Sequence, residues 1–130
     1  MQIVGVQVTI NVSQRVVIST FFGDLTDADL VGFASLIGSH PDFDPSFSEI
    51  LDFSGVTAAS VSTSVVQEVS RRVSIFNLTS VHAVVAPNDL IFGLARMSQV
   101  FAEKTKPNAM VVRTLDEARQ VLRLERNGLD

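Results

Sequence analysis

Two short apolar runs limit what this chain can fold into more than any other feature. VHAVVA at 81–86 and AMVVR at 109–113 are apolar at successive positions, not at every second one. A strand with water on one face alternates, whereas a strand covered on both faces does not. Each run stands beside stretches whose apolar residues recur at three and four, the period of a helix. Neighbouring parallel strands need a long return connection, and a helix supplies it, right-handed in nearly every known case. The pattern therefore predicts an α/β domain with parallel strands at its centre.

The other elements fit around that centre. Ile3 to Ile10 alternates, NVSQ interrupts it, and RVVISTFFG follows as a second strand ending at Gly23. The two predict an N-terminal hairpin, which makes the sheet mixed. LTDADLVGFASLIGSHP reads as a helix, with Thr26 and Asp29 as a capping box and Leu30, Phe33, Ala34 and Ile37 on one face. Gly38 suits its C-cap, and Pro41 blocks continuation. After the turn segment HPDFDPSF, a short strand is expected from Glu49 to Phe53, entering a loop that runs from Ser54 to Ser62.

Ser62 then caps a second helix whose buried stripe is Val66, Val69, Val73 and Phe76, with Glu68 and Arg72 paired at four residues' spacing. After VHAVVA, Pro87 ends the strand and Asn88-Asp89 starts a helix to about Lys104, with Leu90, Leu94, Met97 and Phe101 inward. AMVVR and a last helix, TLDEARQVLRLER with Thr114 and Glu117 as a second box, complete the chain. The expected order is β-β-α-β-α-β-α-β-α, one domain over residues 1–130.

Composition removes several function classes. The net charge is −4 and no basic cluster is denser than Arg71-Arg72, so phosphate-rich partners such as nucleic acid are excluded. Cysteine is absent, which excludes disulfides and thiolate metal sites. Asp44, Glu49 and Asp52 lack a metal-ligand spacing and no glycine-rich phosphate loop occurs, so neither metal nor cofactor is expected. The opening MQIVGVQVTINVSQR is broken by Gln and Asn, unlike a signal peptide, and no apolar run approaches the ~20 residues of a membrane span. The expectation is a cytoplasmic protein with no membrane insertion.

His40 and His82 are the two imidazoles, far apart in sequence, with no Ser-His-Asp grouping evident. The chain reads as non-enzymatic. Phe21 and Phe22 must point to opposite faces of their strand. With a mean hydropathy of +0.33, this favours a homodimer through the hairpin side. Gly93 inside the third helix, where glycine costs about 1 kcal/mol, is expected to mark close helix packing.

Ligands of open α/β sheets bind beyond the carboxyl ends of the strands. Those ends are the segments 54–62, 86–89 and 113–116. Exposed helix N–H groups there favour an anion, but Asp52, Asp89, Asp116 and Glu117 would repel a free phosphate, and they are read as caps of their own helices. The candidate binding residues are Asp52, Ser54, Gly55, Ser60, Ser62, Asn88 and Asp89.

The element order together with LDFSGV at 51–56 resembles the STAS domains. GDLTDADL at 23–30, HPDFDPSFSEILDFSGV at 40–56 and VVAPNDLIFGLARMSQVF at 84–101 resemble a divergent branch, the SpoIIAA-like STAS proteins. The resemblance covers most of residues 20 to 122. It implies a SpoIIAA-like fold and a regulatory protein–protein interaction module with an unidentified protein partner. STAS domains of this kind are controlled by a phosphoserine before a helix. Here Val61 falls at that position and Ser60 falls where an aspartate belongs, so that switch is not carried over. Ser60 and Ser62 remain as the candidates for phosphorylation, and both also suit a cap. The wider fold includes CRAL-TRIO domains, which implies an alternative reading as a small apolar-ligand or lipid-binding domain.

Overall fold

The computed structural model of the chain describes residues 5–123. The start of the first expected strand, Ile3 and Val4, and the end of the last expected helix beyond Arg123 lie outside them. β1 (Val6–Asn11) and β2 (Val16–Thr26) form the antiparallel hairpin, in register from Val6 opposite Phe21 to Asn11 opposite Val16. The rest is α1 (Asp27–Gly38), β3 (Ser48–Ser60), α2 (Thr63–Arg71), β4 (His82–Val85), α3 (Asp89–Phe101), β5 (Ala109–Val112) and α4 (Leu115–Leu122). From β2 onward every pairing is parallel, and the five strands lie side by side in chain order.

That order fixes where the helices go. Right-handed crossovers taken always in one direction put successive helices on one face of the sheet. Phe33 and Ile37 of α1 and Ile91 of α3 accordingly share one core with Val17, Phe21 and Phe53 of the sheet. α4 follows the last strand and needs no further crossover. It covers the opposite face, where Ala118 meets Val16, Ile50, Ala83, Val85 and Val112. The run in β4 is thus covered on both sides, whereas β5, at the sheet edge, leaves Met110 48% exposed.

The main departure from expectation is at β3. A strand ending at Phe53 and a loop over 54–62 were predicted, but the strand continues to Ser60 and takes β2 with it to Thr26. Two register shifts, between Thr20 and Phe22 and between Gly23 and Asp24, keep the strands paired from Gly55 to Ser60. Small residues there permit a close approach, not a loop. A Cβ on Gly55 would stand 3.0 Å from the Phe21 carbonyl oxygen. Phe21 is buried on the helical side while Phe22, pointing the other way, is 40% exposed.

The helices depart in register more than in position. α2 stops at Arg71 because Arg72 turns to an extended conformation, so Val73 is 92% exposed and not part of the stripe. Phe76 is nevertheless buried, reaching the core from the following loop. In α3 the first inward position is Ile91, and Leu90 is exposed, while Leu94 packs against the core as expected. The C-cap of α1 is Ser39, with Gly38 the last helical residue. A Cβ on Gly93 would meet nothing within 4 Å, so close packing does not account for that glycine, and nothing else in the structure does.

The α1 capping box forms in full, with Asp29 N–H donating to Thr26 Oγ1 at 3.3 Å and Thr26 N–H to Asp29 Oδ2 at 3.0 Å. At α4 Thr114 caps as expected, but Glu117 Oε1 accepts the N–H of Arg113 instead.

Candidate functional site

Where strands β3 to β5 end, the expected site residues are occupied locally. Asp52 Oδ1 accepts both the N–H and the hydroxyl of Ser54, at 2.9 and 2.6 Å. Gly55 lies within β3. Ser60, the last residue of β3, donates to both carboxylate oxygens of Asp24 at 3.0 Å. Ser62 caps α2 by accepting the Val65 N–H, and gives its own N–H and hydroxyl hydrogen to Asp27 at 2.9 and 3.1 Å. Asn88 caps α3 through the Ile91 N–H at 2.8 Å. Asp89 pairs with Arg113 Nη1 at 2.9 Å, and the Arg113 guanidinium also lies 3.8 Å from the centre of the Phe92 ring. These residues share one end of the sheet, but apart from Gly55, a strand residue, each serves its own turn, cap or surface pair.

The opposite end of the parallel strands carries what the sequence reading missed. Parallel register sets Val17, Glu49, His82 and Ala109 in one row across β2 to β5. Alternation turns that row's side chains toward the helical layer. Glu49 and His82 therefore meet under it, with His82 Nδ1 2.7 Å from Glu49 Oε1 and both side chains 2% exposed. Glu49 Oε2 is buried with no hydrogen-bond partner. The turn segment between α1 and β3 helps close this end. Asp44 Oδ1 accepts the Ser46 hydroxyl and N–H at 2.7 and 2.8 Å, and those donors hold its carboxyl below the ordinary aspartate value. Phe43, beside that turn, meets Phe76 edge-on at 5.3 Å, and Phe76 meets the His82 ring edge-on at 5.0 Å.

The pair had a signal in the sequence. Each is the polar residue just before a strand's apolar stretch, Glu49 before Ile50-Leu51 and His82 before Ala83-Val84. Parallel strands starting level bring their first residues together.

His82 also lines a pocket of about 110 Å³ between α2, α3 and the sheet. Its wall is largely apolar, with Phe53, Val66, Val84 and Leu94 among its residues. Its polar groups come from His82, Ser70, Ser98, Gln99 and Lys106. Ser70 Oγ–H donates to the Val66 carbonyl at 2.6 Å, and the Ser70 and Ser98 hydroxyls are 2.7 Å apart. Gln99 Nε2 donates to the Ala109 carbonyl at 2.7 Å. A second pocket of about 70 Å³ is lined by Glu49 and Phe76, and shares Leu30, Phe33, Val69 and Lys106 with the first.

Among the described residues no group of three or more His, Asp or Glu could hold a metal ion, and no helix is long and apolar enough to cross a membrane. No protein-family model matches the chain, and no curated protein matches its sequence.

Proposed function

We propose that this chain is a non-enzymatic binding domain for a small, mainly apolar molecule, held between α2, α3 and the sheet. The observation that carries this reading is the apolar pocket of about 110 Å³. Close-packed interiors leave few voids larger than a water molecule. An apolar cavity of about 150 Å³ is known to stay dry and to hold benzene. Drug-sized ligands occupy about 300–1,000 Å³, so the volume suits one ring or a short branched chain and not a full lipid. The CRAL-TRIO-like alternative thus narrows to a small occupant.

The test is a titration of methyl-labelled protein with toluene. Saturable shifts are expected at Val66, Val84 and Leu94, and a Leu94→Phe variant, which fills the pocket, should lose them. Shifts spread evenly over the surface, or none up to the solubility limit, would refute the reading.

A second reading has one observation in its favour. β4 pairs with β3 only as far as Asp52, and among the described residues β3 pairs from Gly55 to Ser60 with β2 alone. The two strands extend as an arm whose outer edge has free backbone groups suited to adding a strand from a partner. This supports the docking role that the SpoIIAA-like STAS resemblance implies. Loss of a co-purifying partner on Ala58→Pro, with the fold intact by circular dichroism, would favour it; retention of that partner would count against it.

A further inference from the structure

The larger pocket has a chemical polarity as well as a size. Ser70 gives its hydroxyl hydrogen to the Val66 carbonyl, which can only accept. The hydrogen in the 2.7 Å Ser70–Ser98 contact therefore comes from Ser98, and Ser98 Oγ is left with lone pairs alone. His82 is governed in the same way. His82 Nδ1 lies 2.7 Å from Glu49 Oε1, and a carboxylate there, which can only accept, selects the neutral tautomer with its hydrogen on Nδ1. The nitrogen left to the neutral ring is Nε2, an acceptor, strengthened by the carboxylate behind it. The buried Glu49 Oε2, without a partner, is a further acceptor beside the adjoining pocket.

We infer that the pocket takes a ring-sized molecule bearing a hydrogen-bond donor, a hydroxyl or amine hydrogen, which is delivered to Ser98 Oγ, with His82 Nε2 the second acceptor on the same wall. This rests on the pocket being a ligand site, as proposed above. A donor satisfies acceptors that a plain hydrocarbon would leave desolvated and unpaired. Lys106 on the wall common to both pockets is the competing influence, since its ammonium would favour a ligand acceptor instead.

The experiment compares three probes on the full chain by methyl and ¹⁵N NMR titration: phenol, toluene and benzaldehyde. Phenol and toluene have nearly the same size but differ in the donor, and benzaldehyde only accepts. Each is titrated into the wild type, Ser98→Ala and Glu49→Gln. Ser98→Ala is expected to weaken phenol roughly threefold to tenfold and to leave toluene unchanged. Glu49→Gln offers an N–H to Nδ1, moves the imidazole hydrogen to Nε2 and should shift preference from phenol to benzaldehyde, with the tautomer change visible in the His82 ¹⁵N shifts. Equal weakening of phenol and toluene in Ser98→Ala, or tighter benzaldehyde than phenol in the wild type, would overturn the inference. Toluene binding in that case leaves the pocket reading standing. If no probe binds the wild type, both fall together.

Discussion

Glu49 and His82 stand side by side at the starts of adjacent parallel strands, 2.7 Å apart and each 2% exposed. A buried pair of this kind is costly to break and cheap to replace. Removing one partner leaves the other's buried polar group unpaired, at a cost of about 1–3 kcal/mol and more for a charged one, while exchanging both for apolar residues of similar shape is near neutral. His82→Leu should therefore destabilise more than the double change Glu49→Met/His82→Leu. Urea unfolding of the two singles and the double checks this; additive losses would show that the two side chains act independently.

Phe76 and Val73 were expected on one helical stripe, yet one is 7% exposed and the other 92%. Phe76→Ala should cost about 3–5 kcal/mol. Val73→Ala should stay within about 0.5 kcal/mol. Thermal melts of both variants decide it, and a large loss at Val73 would contradict the early end of α2.

Ser60 faces the Asp24 carboxylate at 3.0 Å, so added negative charge there meets negative charge. Ser60→Asp should be less stable than Ser60→Ala by about 1 kcal/mol, the scale of two unit charges at 4 Å in water. Asp24→Asn in the same chain should abolish the difference, and 1 M salt should shrink it. A phosphate on Ser60 would act in the same direction and loosen the arm. Equal melting of Ser60→Asp and Ser60→Ala would disprove the contact.

Asp44 titrates low because the Ser46 hydroxyl and N–H bond its ionised form. Its folded-state value is depressed, so the stabilisation is complete above the ordinary aspartate value of 3.8 and fades as pH falls through the lower folded-state value. Carboxyl ¹³C titration should place Asp44 below 3.8, and Ser46→Ala should move it back up. An unchanged titration in Ser46→Ala would assign the shift elsewhere.

The sequence made the order of elements legible because hydrophobic period separates helices from buried strands. It was less informative about extent. Gly55 to Ser60 looks like a loop by composition, since small residues also appear where strands approach too closely for side chains, as at the Phe21 carbonyl. At α3 the cap fell where expected, but the run Leu90-Ile91-Phe92 is apolar at every position and does not itself show that Ile91 and not Leu90 turns inward. The candidate residues at the carboxyl end were found by a rule about open sheets, and the structure engages each in a cap, turn or pair except Gly55, which lies within β3. The buried pair at the other end was within reach of the same reasoning. Both residues begin strands, but strand register is a long-range property that neither segment reveals alone.

Because the sheet is laid down in chain order, it can be assembled as it is synthesised. Each strand leaving the ribosome finds its neighbour already in place, and no earlier gap waits for a later segment. The exception is the face carrying Val16, Ile50 and Ala83, which stays uncovered until α4 emerges. A stall before residue 115 would leave a nearly finished sheet with one sticky side, the kind of intermediate that chaperones bind.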